Sequence, residues 1–209
     1  MPVIDQLASS RGKKDEIPNI ELANQLIANP DQALIKELIE NLSNKSKAIQ
    51  HDCMKTLYEI AARAPALVAA YTDNFIHLLE SNDNRMQWGA MTALNHLTGK
   101  KPQKIYSALA RLAAVASKGS VITRDHYVAI LTKLCTVTAF AADAFDLLNE
   151  QLVTCPANQL PLYAENALPV ISSKYRTIFV RTLSLRLNDF EKESKRKRLE
   201  KVLQKLHTQ

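Results

Sequence analysis

The sequence predicts an all-α protein built from repeated helix pairs, and three observations carry that expectation. Apolar residues recur at spacings of four and eight, with no alternation of period two. The 209 residues include only four glycines and no Asn-Gly or Asp-Gly pair, too few turn signals for an all-β domain of this length. The apolar pattern also returns at intervals of 37 residues.

The repeat is read by aligning IQHDCMKTLYEI (49–60) with MQWGAMTALNHL (86–97). Leu57 then meets Leu94, Ile60 meets Leu97 and Pro65 meets Pro102. One further step reaches Leu131 and Leu134, and another Leu168 and Ile171. The intervening segments follow the same interval. Leu34, Tyr71, Ala108 and Phe145 correspond, as do Leu38, Phe75 and Leu112, and Leu42, Leu79, Ala116 and Val153.

In chain order, residues 1–16 are polar and aperiodic, and are expected to form a mobile N-terminal arm. Residues 17–28 (IPNIELANQLIA) are expected to be a degenerate first helix that caps the stack. First helices of later pairs are expected at 46–62, 84–98, 122–137 and 160–173. Second helices are expected at 31–42, 66–80, 103–117, 140–153 and 174–188. NLSNKS, SNDN, SKGS and CPAN separate the units. Pro161 and Pro169 must shorten or kink the helix at 160–173. The repeat domain thus spans 17–188. Residues 189–209 read as a basic amphipathic capping helix, with Leu199, Val202, Leu203 and Leu206 forming its apolar stripe.

The unit LLESNDNRMQWGAMTALNHL (78–97) resembles a HEAT/armadillo-type repeat. Such a unit has a Leu pair, a polar turn and then Val-Arg-x-Ala-Ala-x-x-Ala-Leu. Met86, Gln87, Gly89, Ala90, Ala93 and Leu94 stand in those places. Asp52-Cys53 and His126-Tyr127 replace the small pair in the neighbouring units. The resemblance implies a right-handed α-α superhelix, a solenoid of about four to five helix pairs. It names no single function, since solenoids carry many.

Charge is distributed unevenly. Residues 174–209 hold eleven Lys/Arg against four Asp/Glu, a balance of +7, while residues 1–173 hold sixteen against seventeen, a balance of −1. A basic C-terminal region attracts nucleic acid, anionic membrane or acidic protein, or is simply a solvated helix. No uncharged stretch exceeds 14 residues, so no membrane span is expected. The first residues lack an apolar signal core. Three cysteines fit a reducing compartment, and a cytoplasmic location is expected.

Catalytic patterns are missing from the sequence. It contains no GxGxxG, no P-loop, no GxSxG and no CxxC, and its five histidines make no HExxH spacing. No catalytic residue, metal site or cofactor is therefore expected. His51-Asp52-Cys53 looks nucleophile-like, but neighbours on a helix point about 100° apart, so Cys53 is expected to pack. Asp125-His126 is read in the same way. Gly89 is expected to permit close approach of a neighbouring helix.

The candidate surface is then one of binding. Trp88 is either buried packing or a partner anchor. In HEAT-like stacks the second helices line the concave face. Off-stripe residues there include Glu37, Glu40, Asn74, His77, Lys104, Arg111, Arg176 and Arg181. Their signs run from acidic to basic, whereas a duplex groove should be basic throughout. The strongest local signal is the basic patch Lys192, Lys195, Arg196, Lys197, Arg198, Lys201 and Lys205. The expected function is a non-catalytic scaffold or adaptor that binds a protein or peptide. The alternative is nucleic-acid binding. Alkylpurine DNA glycosylases are HEAT-like proteins of similar size, and Trp88 with Asp73 is the nearest approximation to their site.

Overall fold

The computed structural model describes residues 2–207; the ends of the expected arm and cap, residues 1, 208 and 209, lie outside them. The described residues form twelve α-helices and six short 3-10 turns, without a strand. They divide into two compact units, Met1–Tyr127 and Val128–Gln209.

Unit one begins with α1 (Ile17–Ala28), α2 (Gln32–Glu40), α3 (Lys47–Arg63), α4 (Thr72–Leu78) and α5 (Asn84–Leu97). These are followed by α6 (Pro102–Ser107), α7 (Leu109–Lys118) and α8 (Val121–Leu134), which runs across the unit boundary. Local chemistry sets the helix starts. Asp31 caps α2 by accepting from Ala33 N at 2.9 Å and Leu34 N at 3.2 Å. Asp83 caps α5 in the same way, from Arg85 N and Met86 N. Pro18, Pro102 and Pro161 occupy first turns, where a missing N–H costs nothing.

Helix α3 packs between α1 and α5, while α2 packs on α3 and α4 on α5. Leu57, Ile60, Leu94 and Leu97 are fully buried between these layers. The repeat reaches the backbone. Ala64 (φ −139°, ψ 62°) ends α3 before Pro65, and Lys101 (φ −135°, ψ 50°) takes nearly the same conformation before Pro102. A residue preceding proline is pushed out of the α region, so α3 stops at Arg63, and the turn that follows α5 does not run on as helix into α6.

Two second helices depart from expectation. The segment 66–80 is not one helix: 3-10 turns at Pro65–Leu67 and Ala69–Tyr71 precede α4. The segment 103–117 divides into α6 and α7 at Ala108 (φ −97°, ψ 3°). Tyr71 (φ −97°, ψ 18°), one repeat earlier, has the same backbone. Both positions belong to the apolar stripe, so residue type gave no sign of the break.

The expected mobile arm is packed where the structure describes it. Val3 and Leu7 are fully buried. Val3 N donates to Glu37 Oε1 at 2.9 Å, and Ala8 N to Asn19 Oδ1 at 2.9 Å. Ser9 N donates to Asp52 Oδ2 at 2.7 Å, and Asn19 Nδ2 to Asp52 Oδ1 at 2.7 Å. Gly12 (φ 65°) then turns the chain toward α1.

Unit two contains α9 (Ala141–Thr154), α10 (Leu160–Ala167), α11 (Ser173–Leu185) and α12 (Glu193–His207). Helix α10 stops early, and a 3-10 turn over Leu168–Val170 holds Pro169. Helix α12 packs on α10 and α11, burying Leu199, Val202, Leu203 and Leu206. The buried stripe of α9 is Ala144, Phe145, Leu148 and Leu152. Val153, expected inside by its place in the repeat, is 52% exposed, because Leu152 fills the inward position.

Candidate partner-binding surfaces

In unit one the second-helix layer carries two adjoining clefts. One, of about 440 Å³, has Ile39, Leu42 and Leu78 at its base and Glu40, Asp73, Asn74 and His77 around it. The other, of about 300 Å³, is lined by Asp73, Ile76, Gln103, Lys104 and Arg111. Asp73 borders both. Lys104 is ion-paired with Asp73, and Arg111 Nη1 lies 3.3 Å from Glu80 Oε1. Exposed pairs of this kind contribute little stability and exchange readily with solvent or a ligand. Asn74 and His77 are exposed.

Trp88 lines neither cleft. It is half-buried on α5, its ring 5.7 Å from that of Tyr58 on α3. The glycosylase-like pair is therefore not assembled, since Asp73 faces its cleft and Lys104 while Trp88 packs on Tyr58.

The other singled-out residues take part in packing and hydrogen bonding. Cys53 is fully buried, and burial, with the Asp52 and Glu37 carboxylates, pushes its thiol up to about 12. Burial pushes Cys135 to about 11. His51 Nε2 lies 3.0 Å from Asp83 Oδ2. Burial works against the charge of Asp83; the His51 contact and the Met86 and Arg85 N–H groups overcome it, so its carboxyl titrates below the usual range. His126 Nδ1 lies 3.0 Å from Asn95 Nδ2. Gly89 faces Met54, whose Cγ would stand 2.4 Å from an added Cβ.

In unit two, Arg176 and Arg181 lie on α11, Arg176 half-buried and Arg181 exposed. The basic patch begins at Lys192, just before α12, and continues along that helix, and Lys195, Arg196, Lys197 and Arg198 are engaged. Arg198 forms a bidentate pair with Glu165 of α10, Nε lying 2.7 Å from Oε1, and holds that carboxyl below its usual range. Arg196 pairs with Glu200 at 3.0 Å and Lys197 with Glu193 at 2.8 Å. Lys195 Nζ donates to Asn158 O at 3.3 Å. Lys192 borders a cleft with Phe190 and Glu191. Lys201 and Lys205 border another with Glu165 and Arg198.

Sequence reasoning missed the Asn19–Asp52 lock. Its only trace was an asparagine inside the apolar run of 17–28 and an aspartate at the small-pair position. No group of three or more His, Cys, Asp or Glu suited to a metal occurs among the described residues. No helix there is long and apolar enough to cross a membrane.

No protein-family model matches the chain, and no curated protein matches it. Solved structures do. One, described as an engineered protein of the Northeast Structural Genomics Consortium, shares 17% identity at a TM-score of 0.57, covering 100% of this chain and 98% of that one. A second engineered protein from the same consortium shares 18% identity at a TM-score of 0.56, covering 98% of this chain and 58% of that one. At such identity the likeness concerns fold alone: the chain has an all-helical fold similar to those of these engineered proteins.

Proposed function

We propose that this chain is a non-catalytic interaction module that holds a protein or peptide segment on the second-helix surface of unit one. The single observation that supports it most is the pair of adjoining clefts sharing Asp73. Their apolar base suits peptide side chains, and their mixed-sign rim suits a peptide backbone and its charges. Asn74 and His77 supply donors and acceptors, and the exposed pairs at Lys104 and Arg111 open at little cost.

The finer fold belongs to the same proposal. We take the chain to be a HEAT/armadillo-like repeat protein winding as a right-handed superhelix. The 37-residue period and the matching backbones of Ala64 and Lys101 support this. A reducing, cytoplasmic setting is supported by three cysteines that are not joined in disulfides.

The alternative, nucleic-acid binding through the basic C-terminal region, has weaker support. Arg196, Lys197 and Arg198 already face carboxylates, which subtracts from the field a phosphate backbone would meet.

Display of a peptide library against the immobilised full chain tests the proposal. Enriched sequences should lose at least tenfold in affinity on a chain carrying Asn74→Ala and His77→Ala. No enrichment, or enrichment indifferent to that pair, would overturn the reading.

A further inference from the structure

We propose that the outer face of α9 and α11 is the interface of a two-fold symmetric dimer, so that its occupant is a second copy of this chain. The two helices lie in parallel register. Phe145 stacks on Tyr175 at their N-terminal ends, ring centroids 4.2 Å apart. Thr182 Oγ1 donates to Asn149 Oδ1 at 2.7 Å, and Arg186 Nη1 to Leu152 O at 2.8 Å toward their C-terminal ends. These contacts decide which residues point away.

On α11 the outward stripe is Lys174, Ile178, Arg181 and Leu185, at helical spacing. Ile178 is 47% exposed and Leu185 71%. On α9 it is Asp146, Glu150 and Val153, all exposed. One stripe is basic and apolar, and its neighbour is acidic and apolar. None of these four charged side chains has an ion-pair partner among the described residues, whereas α12 next to them pairs three of its cations.

A face with one acidic and one basic row is self-complementary. Turning a copy by half a revolution about an axis that lies in the face, parallel to the two helices and midway between them, lays the acidic row of each on the basic row of the other. The register allows both pairings at once. Arg181 precedes Thr182, which meets Asn149; Lys174 precedes Tyr175, which meets Phe145. Arg181 is therefore level with about residue 149 of α9 and Lys174 with about residue 145, given the parallel register. An axis along the helices leaves each residue at its own level, so Asp146 meets Lys174 of the copy and Glu150 meets Arg181 of the copy. One axis serves both pairs, and symmetry repeats each. Ile178, between the two basic residues, is covered by the same contact. A nucleic-acid backbone or an acidic peptide fits less well, since each would meet the Asp146–Glu150 row with like charge.

Light scattering coupled to gel filtration tests this on the full chain at about 100 µM, where a micromolar Kd leaves most chains paired. The unaltered chain should elute with twice the chain mass. Lys174→Glu with Arg181→Glu makes the face wholly acidic, and Asp146→Lys with Glu150→Lys makes it wholly basic. Each variant should be monomeric with unchanged helical circular dichroism, and an equimolar mixture of the two should regain the dimer mass. A monomeric unaltered chain, a dimer indifferent to both variants, or a mixture that stays monomeric would each overturn the proposal.

Discussion

Gly89 on α5 and Met54 on α3 are in such close contact that a Cβ at Gly89 would lie 2.4 Å from Met54 Cγ. Met54 is itself 1% exposed, so its side chain has little room to retreat. Helix propensity alone favours Gly89→Ala by about 1 kcal/mol. Overpacking a tight core costs about 1–3 kcal/mol. Gly89→Ala should therefore destabilise the protein in urea unfolding, and the sign should reverse in a Met54→Ala background. A stabilising Gly89→Ala in the unaltered chain would show that the helices separate freely.

Asp52 joins α3 to α1 and to the N-terminal segment. Replacing it with alanine leaves Ser9 N and Asn19 Nδ2 without their acceptor. An unsatisfied buried donor costs about 1–3 kcal/mol, so Asp52→Ala should lower stability by at least that amount. Amide exchange should accelerate selectively over residues 3–9. Unchanged protection there would mean that apolar burial of Val3 and Leu7 alone holds the segment.

Acid should weaken unit one through Asp83. Its folded-state carboxyl titrates below its ordinary value, despite burial, because of His51 and the two capping N–H groups. The corresponding stability is present above the unfolded carboxyl pKa, about 3.9, and is lost as pH falls through the lower folded value. Asp83→Ala should cost about 1 kcal/mol at neutral pH, as helix caps do. That difference should hold down to about pH 5 and shrink below about pH 4. Urea titrations across that range check it, and a difference that grows with acid would contradict the sign.

Helix α12 belongs to the core of unit two. Leu199 is fully buried and Arg198 clasps Glu165. Leu199→Ala should cost about 2–5 kcal/mol, as buried leucines do. Arg198→Ala should cost no more than about 1 kcal/mol, because its pair is more than a third exposed. Deleting residues 190–209 should abolish cooperative unfolding of unit two while leaving helical signal from unit one. Retention of full cooperativity would make α12 an appendage.

Much of the architecture was legible because helical periodicity and proline placement are local signals. The first helices at 46–62 and 84–98 match α3 and α5 within a residue or so at each end. Gly89 was legible for the same reason, as a costly residue inside a helix needs a packing partner. What stayed hidden is tertiary. Nothing local distinguishes Tyr71 and Ala108, where second helices break, from Leu34, where none does. The packed N-terminal segment depends on Asn19 and Asp52, 33 residues apart, whose hydrogen bond no sequence window contains. Of the candidate surface residues, Asn74, His77, Lys104 and Arg111 line the two adjoining clefts. Trp88 does not, because Tyr58 engages its ring. The basic patch was legible as a run of seven cations, but the pairing of Arg198 with Glu165 on α10, 33 residues away, became visible only in three dimensions.

The measurement that tests the central claim most directly is fluorescence anisotropy of labelled duplex and single-stranded DNA with the full chain, from about 50 to 300 mM salt. A protein-binding module predicts weak association at low salt that vanishes by physiological ionic strength. Micromolar or tighter binding that persists there, with a steep dependence on salt, would contradict it and move the functional surface to the cations of α11 and α12.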